Sequence, residues 1–323
     1  MHRRSLIASL AALPLAAPAL AQPAWPSQGM RLVVPFAAGG PTDILARLFA
    51  DELSKVLPQR MVVENRTGAG VVVGAELVAK APKDGHTLLY NTVAHSVLRG
   101  LFPRLPFDPI GDFAPVALLG QIPLVLVVNK DLPVRTLPEL LALFRANPGK
   151  YDYASSGNGG AVHLGTELFL RRAGGLRVNH IPYRGTGQVM PDLLSGRVAM
   201  YMDVAATGLT YASRGDVRAL AISAGRRIPQ APELPTFAEA GVADAESYTW
   251  HMVLAPSGTP PAAVQAANHA FNQAVKLPSV RQKLVDLAML PRDDTTPEST
   301  RAYLMSEITK WEAIIREAGI KVD

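Results

Sequence analysis

Two glycine-rich stretches each connect an apolar, β-rich run to the start of a helix. They read VVPFAAGGPTD over residues 33–43 and YASSGNGGAVH over residues 153–163. Glycine allows positive φ angles and has no Cβ atom to keep a ligand away from the backbone. The first turn of a helix adds unpaired N–H donors and the positive end of the helix dipole. Each stretch therefore predicts an anion site built from backbone N–H groups.

The spacings in the chain do not match the common phosphate-binding loops. The pattern G-x-x-x-x-G-K-[ST] is absent. A third glycine cluster, GAGVVVG at residues 68–74, has the wrong final spacing for the dinucleotide motif G-x-G-x-x-G. It also lacks an acidic residue at a strand end about 20 residues later. We interpret this cluster as a helix-entry loop, and no cofactor is predicted.

Few patterns in the chain indicate catalysis. No G-x-S-x-G or H-E-x-x-H motif occurs, the seven histidines are scattered, and cysteine is absent. The sequence therefore predicts neither a thiolate nucleophile nor a metal site. One combination stays open, because Ser155 or Ser156 could pair with His163 across the second glycine stretch. A periplasmic serine hydrolase is thus the alternative to a protein that only binds its ligand.

The composition is that of a globular protein with no preference for nucleic acid. The 323 residues are 48% hydrophobic and 18% charged, and the net charge of +5 is spread thinly along the chain. No block of basic residues occurs, and aromatic residues make up only 6%. We therefore expect no nucleic-acid partner, although a mildly positive surface suits an anionic ligand.

The first residues have the pattern of an export signal. A short basic segment, MHRR, precedes an apolar run over residues 5–20, and Ala19-Leu20-Ala21 fits a small-x-small cleavage site. Two prolines interrupt the run, which argues against a membrane anchor. We predict a signal peptide over residues 1–21, cleavage near Ala21/Gln22, and export to the periplasm by the Sec or the twin-arginine route.

The rest of the chain alternates β-rich runs with helical periodicity, which is typical of α/β proteins with largely parallel sheets. Strands are predicted at 31–35, 61–64, 87–91, 151–154, 179–181, 199–203 and 219–224. Helices are predicted at 42–56, 74–80, 138–146, 162–173, 188–194, 262–275, 279–288 and 296–317. Two extended stretches, 116–129 and 248–255, bracket the second α/β series. Because Pro123 lies inside the first stretch, that stretch is either two strands or a crossing between domains. These patterns predict a discontinuous lobe 1, residues 22–123 and 247–323, and a lobe 2, residues 124–246.

Seven motifs, in order from about Trp25 to the C-terminus, resemble the Bug family, the TctC-like extracytoplasmic solute-binding proteins. They are RLVVPFAAGGPTD (31–43), VVENRTGAG (62–70), PKDGHTLL (82–89), LPFDP with DFAPV (105–116), YASSGNG with HL (153–164), IPYRG (181–185) and LAPSGTP (254–260). Each motif alone is weak, but the ordered set covers essentially the whole mature chain.

The resemblance implies a fold like that of the type II periplasmic binding proteins. Two Rossmann-like α/β lobes are then joined by a two-strand hinge, with the ligand cleft between them. It also implies a monomer without enzymatic activity that captures a small organic carboxylate, such as a di- or tricarboxylate, an amino acid or an aromatic acid. The partner would be the membrane subunits of a tripartite tricarboxylate-type transporter. A sensor protein that docks on the same closed form remains the other possibility.

By position, the resemblance also assigns the ligand-binding residues. They are Phe36, Ala37, Ala38, Gly39, Gly40, Thr42 and Asp43 in the first stretch, and Ser155, Ser156, Gly157, Asn158, Gly159 and His163 in the second. Thr92, His95 and Asp203, each near the end of a predicted strand, complete the set. Six positions depart from the family pattern: Ala38 replaces a proline, Val204 replaces an asparagine, Leu98 and Arg99 stand where asparagine and proline are common, and His251-Met252 replaces a smaller pattern. We expect these departures to tune ligand specificity.

Overall fold

The computed structural model describes residues 25–321, so the predicted signal peptide and its cleavage site lie outside the described chain. The strands are β1 (Met30–Val34), β2 (Met61–Asn65), β3 (Thr87–Thr92), β4 (Phe113–Asn129), β5 (Asp152–Ser155), β6 (Asn179–Pro182), β7 (Met200–Val204), β8 (Val217–Ile222), β9 (Tyr248–Pro256) and β10 (Leu290–Pro291). The helices are α1 (Pro41–Val56), α2 (Val72–Ala79), α3 (Leu98–Leu101), α4 (Leu137–Ala146), α5 (Ala161–Arg172), α6 (Thr186–Leu194), α7 (Ala205–Ser213), α8 (Pro261–Lys276), α9 (Pro278–Asp286) and α10 (Pro297–Ala318). Within this part of the chain, no helix is both long and apolar enough to cross a membrane.

The strands form two sheets that share β4. In the first sheet the order is β2-β1-β3-β9-β4, with β2, β1 and β3 parallel and the short β10 on the far side of β4. In the second sheet β8 and β7 flank β4, and the parallel strands β5 and β6 follow β7. Helices cover the buried faces of both sheets, as expected for strands that are apolar on both sides.

Strand β4 is the physical link between the two sheets. It is one strand of 17 residues, so the predicted interruption at Pro123 is a crossing and not a break. Up to Pro123 it pairs with β9, where Pro123 faces Tyr248, and from Leu124 onward it pairs with β7 and β8. Proline has no N–H to donate, so it is tolerated where the strand changes partners. The lobe boundaries predicted at residues 123 and 246 stay predictions, and the change of partner falls at the first of them.

The pairing shows which strand ends face each other. β3 and β4 run in the same direction, because both are antiparallel to β9. The last residue of β3, Thr92, pairs with His251, which in turn pairs with Gly120 of β4. β7 runs the opposite way, and its last residue, Val204, pairs with Leu124. The carboxyl ends of the parallel strands of both sheets therefore converge, separated by about 13 Å of β4. In open α/β sheets, ligands bind at this edge.

Most elements agree with the sequence prediction to within a few residues, but α7 was not predicted. Its sequence, AATGLTYAS, is short and contains Gly208 in its middle, and glycine weakens a helix. A Cβ atom at Gly208 would come within 2.3 Å of the Val125 side chain on β4. The glycine is therefore required for α7 to pack on the crossing strand, and this reason is visible only in the fold.

Candidate functional site

The first glycine stretch forms a tight loop between β1 and α1. Gly39 has φ +79°, and Gly40 is the N-cap of α1 with φ −76° and ψ 166°. The Gly39 N–H donates to Asp43 Oδ2 at 2.8 Å, and no side chain caps the helix. Since Pro41 has no N–H, the donors of Thr42 and Asp43 remain free at the helix start. These donors lie at the converging edge of the first sheet.

The second glycine stretch has the same backbone geometry between β5 and α5. Gly159 has φ +70°, and Gly160 is the N-cap of α5 with φ −74° and ψ 166°. The Gly159 N–H donates to His163 Nδ1 at 3.0 Å, which matches the bond from Gly39 to Asp43. Here too no side chain caps the helix. Each lobe thus places an equivalent helix start at the edge where the carboxyl ends of the parallel strands of the two sheets converge.

Asp43 supports the first loop from within the protein. Its carboxylate is 2% exposed and accepts hydrogen bonds from Arg47 Nε at 2.9 Å and from Asn65 Nδ2 at 2.8 Å, in addition to the Gly39 N–H. Asn65 Nδ2 also donates to the Phe36 carbonyl oxygen at 3.0 Å. Burial raises the pKa of Asp43, but the bonds from Arg47, Gly39 and Asn65 outweigh it, so the pKa lies below its ordinary value. Because both oxygens are engaged, Asp43 shapes the loop and does not offer its side chain to a ligand.

His163 supports the second loop through a stack of rings. It is 5% exposed, and its ring stacks on that of His180 with centroids 3.9 Å apart. The ring of His180 also stacks on that of Tyr153, with centroids 4.9 Å apart, and its Nε2 lies 2.7 Å from Ser155 Oγ. Sequence reasoning missed His180, because only the parallel pairing of β5 with β6 brings it beside Tyr153. Its position directly before the IPYRG motif was the one available signal in the sequence.

In the structure, Ser155 contacts a different histidine from the one that the serine-hydrolase alternative requires. The hydroxyl of Ser155 contacts His180 and not His163, whose Nδ1 accepts the Gly159 N–H instead. Ser155 is fully buried, and its Oγ also donates to the Gly157 carbonyl oxygen at 3.2 Å. The predicted pairing of Ser155 with His163 is therefore corrected, and Ser155 serves to shape the loop.

Asp203 lies at the carboxyl end of β7, on the same edge as the second loop. It is 1% exposed, and it accepts hydrogen bonds from Thr207 Oγ1 at 2.6 Å, the Val204 N–H at 2.9 Å and Thr186 Oγ1 at 3.2 Å. Burial raises the pKa of Asp203, and these bonds offset only part of the rise. Thr186 Oγ1 lies 2.8 Å from the Tyr201 hydroxyl, so the carboxylate belongs to a hydrogen-bonded cluster of lobe 2.

His95 and Thr92 have structural roles at the end of β3. His95 is fully buried; its Nε2 lies 2.9 Å from the Pro109 carbonyl oxygen and its Nδ1 lies 3.3 Å from Asn91 Nδ2. No ring nitrogen is left for a ligand, so the structure replaces the predicted ligand contact of His95 with internal bonds. Thr92 is 7% exposed, and its Oγ1 accepts the Ala94 N–H at 3.3 Å.

Most of the remaining predicted site residues are accessible to solvent. Ala37, Ala38, Gly39 and Asn158 are exposed, and Phe36, Gly40, Thr42, Ser156 and Gly157 are half-buried. Gly159 is buried in the second loop. Of the positions that depart from the family pattern, Arg99 forms an ion pair with Glu312 of α10 at 3.2 Å. His251 lies on β9 beside Thr92, at the edge where the sheets converge.

Acidic pH is expected to destabilise the protein, because burial lowers the pKa of several histidines. Burial lowers the pKa of His95, His180 and His251 to about 4. The pKa of His163 falls to about 3, because the charge of His180 adds to the effect of burial. The ordinary value is 6.5, so between pH 6.5 and pH 4 the unfolded chain binds protons that the folded chain does not. Stability is therefore lost as the pH falls through this window.

We expect the free energy of unfolding to be about 3–5 kcal/mol lower at pH 5 than at pH 7. Asp203, with its raised pKa, opposes this loss but does not reverse it. Urea unfolding followed by circular dichroism at both pH values measures the difference. The variant His269→Gln removes an exposed histidine and should keep the same pH dependence. Equal stability at the two pH values would show that the four rings take up protons as readily in the folded protein as in the unfolded chain.

The fold and the site together define the class of protein to which this chain belongs. Two α/β lobes linked by extended strands, with equivalent helix starts at the converging edges, are the architecture of the type II periplasmic binding proteins. The chain matches the family model described as "Tripartite tricarboxylate transporter family receptor" over residues 45–320. The chain therefore belongs to this TctC, or Bug, family of solute receptors, and the family and fold class predicted from the sequence are confirmed.

Several known proteins are similar to this chain over nearly its whole length. Protein BugT of Bordetella pertussis is 37% identical over 310 residues, which cover 95% of this chain and 94% of BugT. A Rhodopseudomonas palustris protein solved with adipate is 34% identical with a TM-score of 0.78, covering 92% of this chain and 100% of that one. MatC from Rhodopseudomonas palustris, solved with bound malate, is 33% identical with a TM-score of 0.75, covering 90% and 100%.

Proposed function

We propose that this chain is a periplasmic solute-binding protein that captures a small organic carboxylate by closing its two lobes and delivers it to a tripartite transporter in the membrane. The observation that carries the proposal is the equivalence of the two glycine loops. Each holds a glycine N–H against a buried side chain four residues later and leaves the N–H donors of the next helix free. An anion between the loops would satisfy both helix starts at once.

The contacts support a division of roles among the predicted site residues, which is part of this proposal. In the first loop, Phe36 to Gly40 and Thr42 face the ligand, while Asp43 holds the loop from beneath. In the second, Ser156, Gly157 and Asn158 face the ligand, while Ser155, His163 and the buried Gly159 hold the loop. Since the loops provide backbone donors and no cationic side chain, ordered water completes the coordination of the carboxylate.

The ligand class is proposed from the relatives as well as from the loops. Two structural relatives were solved with adipate and malate, which are both dicarboxylates. Closure requires that the ligand bind the closed form more tightly than the open form, and only a ligand that touches both loops does so. A small mono- or dicarboxylate long enough to bridge the loops meets this requirement. No catalytic step is part of the proposal, and a membrane transporter is the expected partner.

The test is titration of protein that has been unfolded and refolded to remove any carried-over ligand. Isothermal calorimetry with a panel of aliphatic, hydroxy and aromatic carboxylates should find at least one that binds with micromolar affinity or better. At saturation it should also raise the melting temperature. The matching carboxamides are the control, and they should not bind. If no carboxylate binds, or if acids and amides bind equally, the proposal is wrong.

A further inference from the structure

The guanidinium group of Arg171, near the end of α5, lies between two carboxylates without bonding closely to either. Its Nε is buried and has no hydrogen-bond partner within residues 25–321. Glu167 Oε2 is 4.0 Å from Nε, and Glu317 Oε2 is 3.8 Å from Nη1. Charge-assisted hydrogen bonds are about 2.7–2.9 Å long, so each gap is about 1 Å too wide. A small movement that closes these gaps would satisfy a buried donor.

The two carboxylates belong to different lobes. Glu167 lies on α5 itself, one turn before Arg171 and on the same side of the helix. Glu317 lies on α10, which packs closely on α3 of lobe 1: a Cβ atom at Gly100 would come within 2.7 Å of the Ile315 side chain. The gap between Arg171 and Glu317 is therefore a gap between the lobes, and its width depends on how the lobes are oriented.

The faces of α5 and α10 that meet here are tightly packed at one end and open at the other. Leu164, Leu168 and Arg171 are spaced i, i+4 and i+7, so they share one face of α5. Leu164 and Leu168 are buried in the same hydrophobic cluster as Leu304 and Ile308 of α10. Beside them lies a groove of about 550 Å³, whose lining includes Leu168, Arg172, Met305, Ile314 and Glu317. The groove leaves the two helices room to slide past each other.

The position of α5 beside the crossing strand fits a small sliding movement. A Cβ atom at Gly165, in the middle of the same helix, would come within 2.6 Å of the Leu124 side chain. Leu124 is the first residue of β4 after Pro123, where the strand changes partners. Packed helices next to a pivot shift by small shear movements when domains close. The shift of about 1 Å that Arg171 requires is of this size.

The second glycine loop is connected to Arg171 through the interior of lobe 2. The rings of His163, His180 and Tyr153 stack in that order, and His163 holds the loop. The Tyr153 hydroxyl donates to Glu167 Oε1 at 2.6 Å, and the other oxygen of Glu167 is the one that faces Arg171. Helix α5 itself also extends from the loop to Arg171. A movement of the loop toward a ligand is therefore passed to Arg171 by a contiguous set of contacts.

We propose that closure of the lobes on a ligand brings Arg171 into hydrogen-bonding contact with Glu317, and that this ion pair sets the affinity for the ligand from outside the binding site. The inference rests on the proposed function, because it concerns how the closed form is stabilised. An interaction made only in the closed form shifts the equilibrium toward that form and so tightens binding. Arg171 is thus a positioning residue, which acts on α5 and not on the ligand.

The experiment is calorimetry on ligand-stripped protein with malate, adipate and the other acids of the carboxylate panel, followed for each variant with the acid that binds the wild type most tightly. The side chains of Arg171 and Glu317 are 32% and 53% exposed, so solvent screens the pair. Arg171→Gln and Glu317→Gln should each weaken binding by about two- to fivefold, and Glu317→Lys by about five- to tenfold. The matched control is Glu312→Gln, which removes the ion pair that the same helix makes with Arg99. It should leave the affinity unchanged, because Arg99 and Glu312 both belong to lobe 1.

A double variant shows whether the effect passes through Arg171. In the Arg171→Gln background, Glu317→Lys should weaken binding by less than about twofold, because the charge that it opposes has been removed. The melting temperature of ligand-stripped Arg171→Gln should also stay within about 2 °C of the wild type, because the ion pair belongs to the closed form. A purely structural role would instead lower that temperature and leave the affinity unchanged.

The remaining outcomes separate the inference from the proposed function. If a carboxylate binds, but Arg171→Gln and Glu317→Gln bind it as tightly as the wild type or more tightly, the inference is overturned and the proposed function stands. The inference is also overturned if Glu317→Lys is equally harmful without Arg171. If no acid of the panel binds the wild type, the proposed function itself fails, and the inference fails with it.

Discussion

Replacement of Asp43 by alanine is expected to lower the free energy of unfolding by about 2–4 kcal/mol and to weaken carboxylate binding by at least about tenfold. The carboxylate is buried and accepts three hydrogen bonds, from Gly39, Arg47 and Asn65. Alanine leaves the Gly39 N–H and the Asn65 amide without their acceptor. Arg47 is half-exposed and regains water, so its bond contributes little to the loss.

The loss of affinity follows from the loss of the loop's shape. In the wild type, Asp43 and Asn65 together hold Gly39 and the Phe36 carbonyl in place before the ligand arrives. Without Asp43 the ligand must order the loop as it binds, and this conformational entropy is subtracted from the affinity. Calorimetry and urea unfolding of the same variant measure the two effects separately.

Asp51→Ala is the matched control for this variant. Asp51 lies on the same helix, is exposed, and should change both quantities by less than about 0.5 kcal/mol. Full binding by Asp43→Ala at reduced stability would show that the free helix donors alone set the affinity. Unchanged stability would contradict the buried network itself.

The parts of the site that could be predicted are those encoded by neighbouring residues. The strand, the glycines and the helix start of the first loop were placed to within one residue, because an apolar run, a Gly-Gly turn and an early proline each have a local physical cause. The second loop was found in the same way. Backbone geometry that depends on glycine is therefore readable from the sequence.

The roles of the side chains were less predictable, because they depend on partners far along the chain. Asp43 was expected to face the ligand, but Asn65, 22 residues away, draws it into the protein. His163 was paired with Ser155, but the parallel pairing of β5 with β6 places His180 between them in the network. His95 was also expected to face the ligand, but its Nε2 contacts the Pro109 carbonyl oxygen instead. The spacing of residues in the sequence locates the site well, but it predicts less well which side-chain atoms contact the ligand.

The second large effect on stability is expected at Glu307 of α10, which contacts one of the strands that link the lobes. This residue is 4% exposed, and its Oε2 accepts hydrogen bonds from Trp250 Nε1 at 2.9 Å and Trp311 Nε1 at 3.0 Å, while its other oxygen pairs with Lys310. Trp250 lies on β9 at the crossing, paired with Gln121 of β4. One carboxylate thus holds β9, the strand that pairs with β4 at the crossing, against the C-terminal helix.

Glu307→Ala is expected to lower the free energy of unfolding by about 3–5 kcal/mol, because it leaves two buried indole N–H groups without an acceptor and opens a cavity. Thermal unfolding followed by tryptophan fluorescence measures this loss, and the melting temperature should fall by roughly 5–10 °C. Glu307→Gln should retain most of the stability, because both indoles donate to the same oxygen and a single amide oxygen can serve them. The control is Glu312→Ala on the same helix α10, which removes only the exposed ion pair with Arg99. It should change the free energy of unfolding by less than about 1 kcal/mol. If alanine and glutamine at position 307 were equally destabilising, the negative charge of Glu307, which also pairs with Lys310 of the same helix, and not its bonds to the indoles would account for the stability it contributes.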